Sequence, residues 1–206
     1  MVLKRVQSLN RVGLAMHVRK HGFTNVFSPT GDITAANVAA IVQLPNGKVM
    51  VAWEACYDEG SFRNQILCST SEDEGETWGV WNARVLQDDP RVRDTYPAFL
   101  RTENSVLFFY MSGRKLEFRR SKDGDEWSSP ILLGYGAPLH PIKLSDGTIV
   151  LPCQMEDAPQ GFRSPSFLIS KDDGESWIRG GVVIPPGNGV SYLDEPTIVE
   201  LSDGAI

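Results

Sequence analysis

The chain has 206 residues, of which 41% are hydrophobic and 22% are charged, a balance typical of a globular protein rather than a disordered or fibrous one. The net charge of −6 is unevenly placed, because residues 1–31 carry +5 without a single acid and residues 32–206 carry −11. An acidic body without a basic stripe argues against a nucleic-acid partner. No apolar run reaches the roughly 18 residues that a membrane helix needs, so we expect no membrane span.

The composition divides the chain into a basic N-terminal leader, residues 1–31, and one domain, residues 32–206. The leader lacks the apolar core of a secretory signal. A transit peptide would also be basic and free of acids, but a plain variable leader is the favoured interpretation. The compartment stays open, with the cytoplasm slightly favoured.

Three cysteines occur in the sequence, Cys56, Cys68 and Cys153, without a CxxC pair or a zinc-ligand spacing. An odd number argues against a disulfide framework, so we expect buried thiols. No metal or other cofactor is expected.

A repeated pattern begins with two apolar runs, residues 38–44 and 48–54, on either side of Asn46-Gly47. Asn-Gly and Asp-Gly between such runs predict β-hairpins. Residues 65–70 and 79–86 then flank the block SEDEGETW, which begins at Ser71. The first unit is therefore predicted to contain four strands.

The same pattern returns in a second unit at about residues 97–133 and in a third at about residues 140–184. Their blocks, SKDGDEW and SKDDGESW, begin at Ser121 and Ser170, which are 50 and 49 residues beyond the preceding block. A fourth unit opens at residues 196–201. Four-stranded units at this period are typical of β-propeller blades, and the spacing of the blocks disfavours a β-sandwich with coincidental turns.

The blocks have a structural explanation. The Asp accepts hydrogen bonds from the amides of the turn, the Gly supplies a positive φ, and the Trp packs back into the sheet. We therefore expect Trp78, Trp127 and Trp177 to support the scaffold and not to take part in catalysis.

Strand direction separates two ends of the predicted units. The Asn-Gly and Asp-Gly hairpins and the Trp-containing blocks lie at one end, so the loops within 55–64, 88–97, 112–118, 134–140, 155–165 and 185–196 lie at the other. Propellers open a central cleft at such an end. The polar candidates there are Asp58, Glu59, Arg63, Arg91, Arg93, Asp94, Arg114, His140, Glu156, Asp157, Arg163, Asp194 and Glu195.

The blocks SEDEGETW and SKDDGESW resemble the Asp boxes, or BNR repeats, of the sialidase superfamily, and the resemblance covers residues 36–206. The stretches AAIVQLPNGKVMVAWE (39–54), LHPIKLSDGTIVLP (139–152) and EPTIVELSDG (195–204) resemble blade openings of those proteins. The implied fold is all-β, a six-bladed propeller. This chain would supply three blades and the start of a fourth, the N-terminal half.

Members of this family use a Tyr nucleophile that a Glu activates, an Asp as acid/base, and three arginines that clamp the substrate carboxylate. The resemblance implies that Glu195, which precedes the run PTIVELSDG, is the activating Glu. It places the acid/base in the loop containing Asp58 and Glu59, and both stay candidates.

The chain departs from the family at the first arginine, where it has Asn37. An amide can bind a carboxylate or a hydroxyl without charge. Arg63, Arg93 and Arg163 are the candidates for a substitute cation. The sugar is therefore left open between sialic acid and a neutral or differently charged residue.

The expected function is a sialidase-like exo-glycoside hydrolase that acts on terminal sugars of glycans. Two alternatives stay open: a non-catalytic glycan-binding propeller, and a polysaccharide lyase that would use His140 with a nearby Tyr. In each case the partner is a glycan. The sequence does not fix the oligomeric state.

Overall fold

A computed structural model describes residues 26–29, 31–57, 63–79, 83–156, 164–183 and 194–206. These residues form an all-β structure without a helix, so the described part of the chain contains no helix able to cross a membrane. Its strands are β1 (Ala35–Gln43), β2 (Val49–Cys56), β3 (Asn64–Ser71), β4 (Arg84–Gln87), β5 (Asp94–Arg101), β6 (Val106–Ser112), β7 (Lys115–Ser121), β8 (Ile131–Pro138), β9 (Ile142–Lys143), β10 (Ile149–Met155), β11 (Ser164–Ser170) and β12 (Ile178–Val182).

The strands form three consecutive antiparallel units. In the first unit, β1 to β4 pair in chain order, as the hairpin signals predict. The second unit pairs β5 to β8 in the same way. The third contains β9 to β12. The all-β architecture expected from the sequence is therefore confirmed.

Strand β8 belongs to two units, which the sequence did not predict. Its first half pairs with β7, and Gly136–Pro138 pair with β10 of the third unit. A Cβ at Gly136 would overlap the carbonyl oxygen of Gln154, so only glycine permits this close approach. Residues 134–138, expected in a loop, are thus strand. The expectation was wrong because the Gly residues mark a bend in a strand here, not its end.

The core lies between the units because the middle strand β6 is buried on both faces. Phe108 and Tyr110 belong to a cluster shared with the first unit, which includes Met50 and Ile66. The alternate residues, such as Phe109, belong to a second cluster shared with the third unit. Side chains of successive strand residues point to opposite faces, so one apolar strand holds both interfaces together.

The three turn blocks share one hydrogen-bond pattern. In the third, Gly174 N donates to Ser170 Oγ at 2.8 Å, Ser176 N donates to Asp172 Oδ1 at 2.9 Å, and Trp177 Nε1 donates to the Gly174 carbonyl at 3.1 Å. The blocks at residues 71–78 and 121–127 repeat the serine and tryptophan bonds, with an aspartate accepting from turn amides. Trp177 and Trp127 each pack against one of the two interface clusters. The scaffold interpretation of the blocks agrees with these contacts.

The two ends of the described chain differ in how far they are built into the structure. Phe27, from the end of the predicted leader, packs on Trp53 with ring centroids 4.9 Å apart. At the other end, the hairpin turn is formed: Leu201 N donates to the Ala205 carbonyl at 2.7 Å. The strand expected at residues 196–201 is not formed. A strand needs a neighbour to complete its hydrogen-bond ladder, and the described residues form no backbone ladder with this segment, although its Glu200 side chain accepts hydrogen bonds from Ser145 N and Oγ.

Candidate functional site

The candidate site lies at the end of the units where β2, β6 and β10 finish and β3, β7 and β11 begin; we call this the cleft end. Between β6 and β7 the chain turns tightly at Gly113-Arg114, so most of the loop expected at residues 112–118 is strand. Four of the predicted polar candidates, Asp58, Glu59, Asp157 and Arg163, lie outside the described residues.

A buried carboxylate, Glu54, organises the first polar cluster. Its side chain is 5% exposed, and it accepts hydrogen bonds from Arg93 Nη2 at 3.1 Å and from Asn64 Nδ2. Asn64 and Arg93 are also joined by a backbone bridge. A charge this deep in the protein requires such partners, so the Glu54–Arg93–Asn64 cluster is a fixed structure.

Asn37 and Cys56 border this cluster. Asn37 is opposite Glu54 in the β1–β2 register, is exposed, and donates from Nδ2 to Cys56 Sγ at 3.5 Å. Burial raises the pKa of the Cys56 thiol, and the negative charge of Glu54 adds to the effect. Cys56 therefore stays a neutral thiol near neutral pH. All three cysteines are buried and free, as the sequence predicts.

The arginines that the structure describes at the cleft end are each paired with a carboxylate. Arg63 lies 3.6 Å from Asp88 and also stacks over the Tyr57 ring at 5.0 Å. The two further pairs, besides Arg93–Glu54, are Arg91–Asp89 at 2.8 Å and Arg114–Glu156. Arg63 and Arg93 thus lie at the cleft end as predicted, but each of them is half exposed and already paired with a carboxylate of the protein.

A second buried carboxylate, Asp94, begins β5. It accepts a hydrogen bond from Asp89 N at 2.6 Å, and Gln87 Nε2 lies 3.5 Å from both of its oxygens. Burial raises the pKa of Asp94. The residue is fully enclosed, so its bonds fix the link between the first two units.

A second polar cluster lies where the third unit meets the following segment. Gln154 Nε2 donates to Asp194 Oδ1, which also accepts from Glu195 N at 3.0 Å. A small pocket lies beside it, lined by Tyr96, Met111, Ala137, Gln154 and Glu156. The predicted activating residue, Glu195, is exposed next to this cluster.

The two clusters occupy equivalent places in the repeat. Glu54 and Gln154 are each the sixth residue of their strands, β2 and β10. Each forms a hydrogen bond with a residue that opens the next unit. Glu54 accepts from Arg93, and Gln154 donates to Asp194. Sequence reasoning missed Glu54 and Gln154. Their signal is a polar residue at the same position of two otherwise apolar strands.

Glu195 has a special backbone conformation. Its φ is 45°, and Val38 and Tyr96 have φ values of 36° and 54°. These three residues lie six positions before Leu44, Thr102 and Leu201, which begin the hairpin turns of their units. A positive φ is rare for residues other than glycine, so its return at one repeat position marks a shared feature of the cleft end.

The lyase alternative concerns His140, which is exposed in the link between β8 and β9. The preceding residue, Leu139, is fixed by donating its N–H to the Pro152 carbonyl at 2.9 Å. The described contacts give His140 no identified catalytic partner.

No protein-family model and no curated protein matches the sequence. Solved structures do match it. A protein of unknown function from Dyadobacter fermentans aligns with a TM-score of 0.64 at 15% identity, over 76% of this chain and 57% of that one. An intramolecular trans-sialidase from Ruminococcus gnavus aligns with a TM-score of 0.60 at 13% identity, over 84% and 65% of the two chains.

A third similar structure is a mutant of an α-L-arabinofuranosidase from Fusarium graminearum. Its TM-score is 0.52 at 16% identity, over 70% of this chain and 52% of that one. This chain thus spans between about half and two thirds of the length of these three neighbours. Identities this low establish the fold and not the activity. The chain has the fold of part of a sialidase-like β-propeller.

Proposed function

We propose that this chain forms part of a glycoside hydrolase that removes terminal sugar residues from glycans. The observation that carries the proposal is the position of Glu195, an exposed carboxylate next to the Gln154–Asp194 bond at the cleft end. Two of the structural neighbours, a trans-sialidase and an arabinofuranosidase, are named for reactions at glycosidic bonds, which supports the reaction class.

The other carboxylates support this choice by their surroundings. Glu54 is buried against Arg93, and Asp94 is enclosed by amide donors. Neither is placed to exchange a proton with a ligand. Glu195 is exposed, and the preceding residue, Asp194, ties the segment to β10 by accepting a hydrogen bond from Gln154.

In the proposed mechanism, Glu195 takes the proton of a tyrosine nucleophile as the tyrosine attacks the anomeric carbon. A neutral tyrosine and a carboxylate base form the charge relay that sialidase-like enzymes use in place of a carboxylate nucleophile. The acid/base role, which protonates the leaving oxygen, is assigned to Asp58 or Glu59. Because one of the structural neighbours is an arabinofuranosidase, the proposed substrate is not restricted to glycosides of sialic acid.

The test is kinetic and uses the full-length protein with 4-methylumbelliferyl glycosides of sialic acid and of neutral sugars. We expect Glu195→Gln to lower kcat by about 100-fold or more with little change in KM, because a proton relay acts mainly in the transition state. The matched control is Glu126→Gln, which alters an exposed carboxylate in the turn block at the opposite end. It should keep the wild-type rate.

Equal rates for the wild type and Glu195→Gln would contradict the assignment of Glu195. Sugar binding without turnover of any glycoside would instead favour the glycan-binding alternative.

A further inference from the structure

The arginines at the cleft end are the obvious candidates to hold an anionic sugar, and the described ones are all neutralised. Arg63, Arg91, Arg93 and Arg114 pair with Asp88, Asp89, Glu54 and Glu156. Arg93 reaches a carboxylate that is almost fully buried. A substrate carboxylate at Arg93 would therefore meet the charge of Glu54 at close range.

The remaining charged groups of the cleft end are mostly acidic. Asp94 and Asp194 accept hydrogen bonds from amide groups, and Glu195 adds an exposed carboxylate next to Asp194. Lys115 is the cation at the start of β7. Among the described residues of this end, carboxylates thus outnumber cations, which opposes the approach of an anion.

The groups that border the two clusters suit hydroxyl groups instead. Asn37 is exposed beside Glu54, and Tyr96 lines the small pocket next to Gln154. Amides and carboxylates bind sugar hydroxyls as donors or acceptors, and an aromatic ring offers a face to the apolar side of a sugar.

We propose that the part of the cleft built by this chain selects an uncharged sugar residue and discriminates against one that carries a carboxylate. Selectivity in turnover rests on the proposed function, whereas selectivity in binding does not require the protein to be a hydrolase. The position of Asn37 is then a specificity determinant, because an amide there serves a hydroxyl without adding a cation.

The experiment measures turnover and binding separately in the full-length protein. Turnover is compared between a 4-methylumbelliferyl sialoside and a panel of neutral 4-methylumbelliferyl pyranosides and furanosides. Binding is followed by saturation-transfer NMR, with N-acetylneuraminic acid and the corresponding neutral methyl glycosides as probes. We expect at least one neutral glycoside to be preferred over the sialoside in both measurements.

Two variants test the electrostatic cause. Glu54→Gln keeps an acceptor for Asn64 and Arg93 but removes the charge, so N-acetylneuraminic acid should bind about tenfold more tightly than to the wild type. Asn37→Arg changes an exposed position and should shift selectivity in the same direction while weakening the neutral sugar. Glu126→Gln, at the opposite end, should change neither preference.

Each outcome has one meaning. Preference for the sialoside in turnover would overturn the inference and leave the proposed hydrolase intact, and preference for N-acetylneuraminic acid in binding would overturn the inference whether or not turnover is seen. Binding of a neutral sugar without any turnover would support the inference while the proposed hydrolase fails. The absence of binding to every probe, or unchanged selectivity in both Glu54→Gln and Asn37→Arg, would overturn the inference.

Discussion

Arg93 reaches from the segment before β5 to Glu54 in β2, with its Nη2 atom 3.1 Å from Glu54 Oε1, and so ties the first unit to the opening of the second. The contact joins residues that are 39 positions apart in the chain. The ion pair fixes the Arg93 guanidinium at the cleft end, and the buried Glu54 carboxylate neutralises its charge. Stability and selectivity at this end therefore depend on the same ion pair.

We predict that Arg93→Ala destabilises the protein by about 1–2 kcal/mol, because it removes the cation paired with the buried Glu54 carboxylate and leaves that carboxylate with the neutral donors Asn64 and Cys56. The figure is below that for a fully buried pair, since half of the Arg93 side chain is exposed. Urea titration measures the difference. Arg93→Lys is the matched control and should lose less. An unchanged midpoint for Arg93→Ala would mean that solvent already stabilises Glu54.

Gly136→Ala should destabilise the protein by about 3 kcal/mol, because the added Cβ overlaps the Gln154 carbonyl and the φ of 140° disfavours a side chain. The matched control is Gly181→Ala in β12, where a Cβ meets no atom within 4 Å. Thermal melts of both variants provide the comparison. Equal melting temperatures would show that the β8–β10 pairing can separate at little cost.

Trp177→Ala should cost about 3 kcal/mol, because the ring packs edge-on against Phe109 at 5.6 Å and Phe118 at 6.0 Å in the interface of the second and third units. Trp177→Phe keeps most of the apolar contact and should lose less. Guanidinium titration measures both variants. Wild-type stability of Trp177→Ala would contradict the packing role of the turn blocks.

The turn aspartates predict a dependence of stability on acid. The Ser176 hydroxyl and amide, with the Ser170 hydroxyl, lower the pKa of Asp172 from 3.8 to about 2. A depressed folded-state pKa stabilises the protein above the unfolded pKa, and this contribution is lost as the pH falls from about 4 to about 2. Asp172→Asn should therefore be less stable than the wild type at pH 7, with a smaller loss on acidification.

Melting temperatures at pH 7, 4 and 2 check this prediction. Parallel curves for the wild type and Asp172→Asn would show that the Asp172 bonds do not stabilise the folded state preferentially. Asp73, whose pKa is also lowered to about 2 by Thr77, should behave in the same way.

Local signals in the sequence determined the units and their turns. Asn46-Gly47 and Asp146-Gly147 favour a tight turn between apolar runs, and the hydrogen bonds that the side chains of Ser170, Asp172 and Trp177 make lie within their own block. Strand direction then assigned Arg93 and Glu195 to one end, because alternate connections of an antiparallel sheet fall together. These conclusions need only neighbouring residues and the two-residue period of a strand.

The tertiary structure alone decided what those residues meet. Glu54 appeared to be an isolated polar residue in an apolar strand, and its pairing with Arg93 depends on how two units pack. The division of β8 between two units follows from the close approach of Gly136 in β8 to Gln154 in β10. These residues are distant in sequence, so local patterns do not report the contact. Sequence periodicity reports which face of a strand is buried, but only packing between units sets which charges are neutralised at the cleft end.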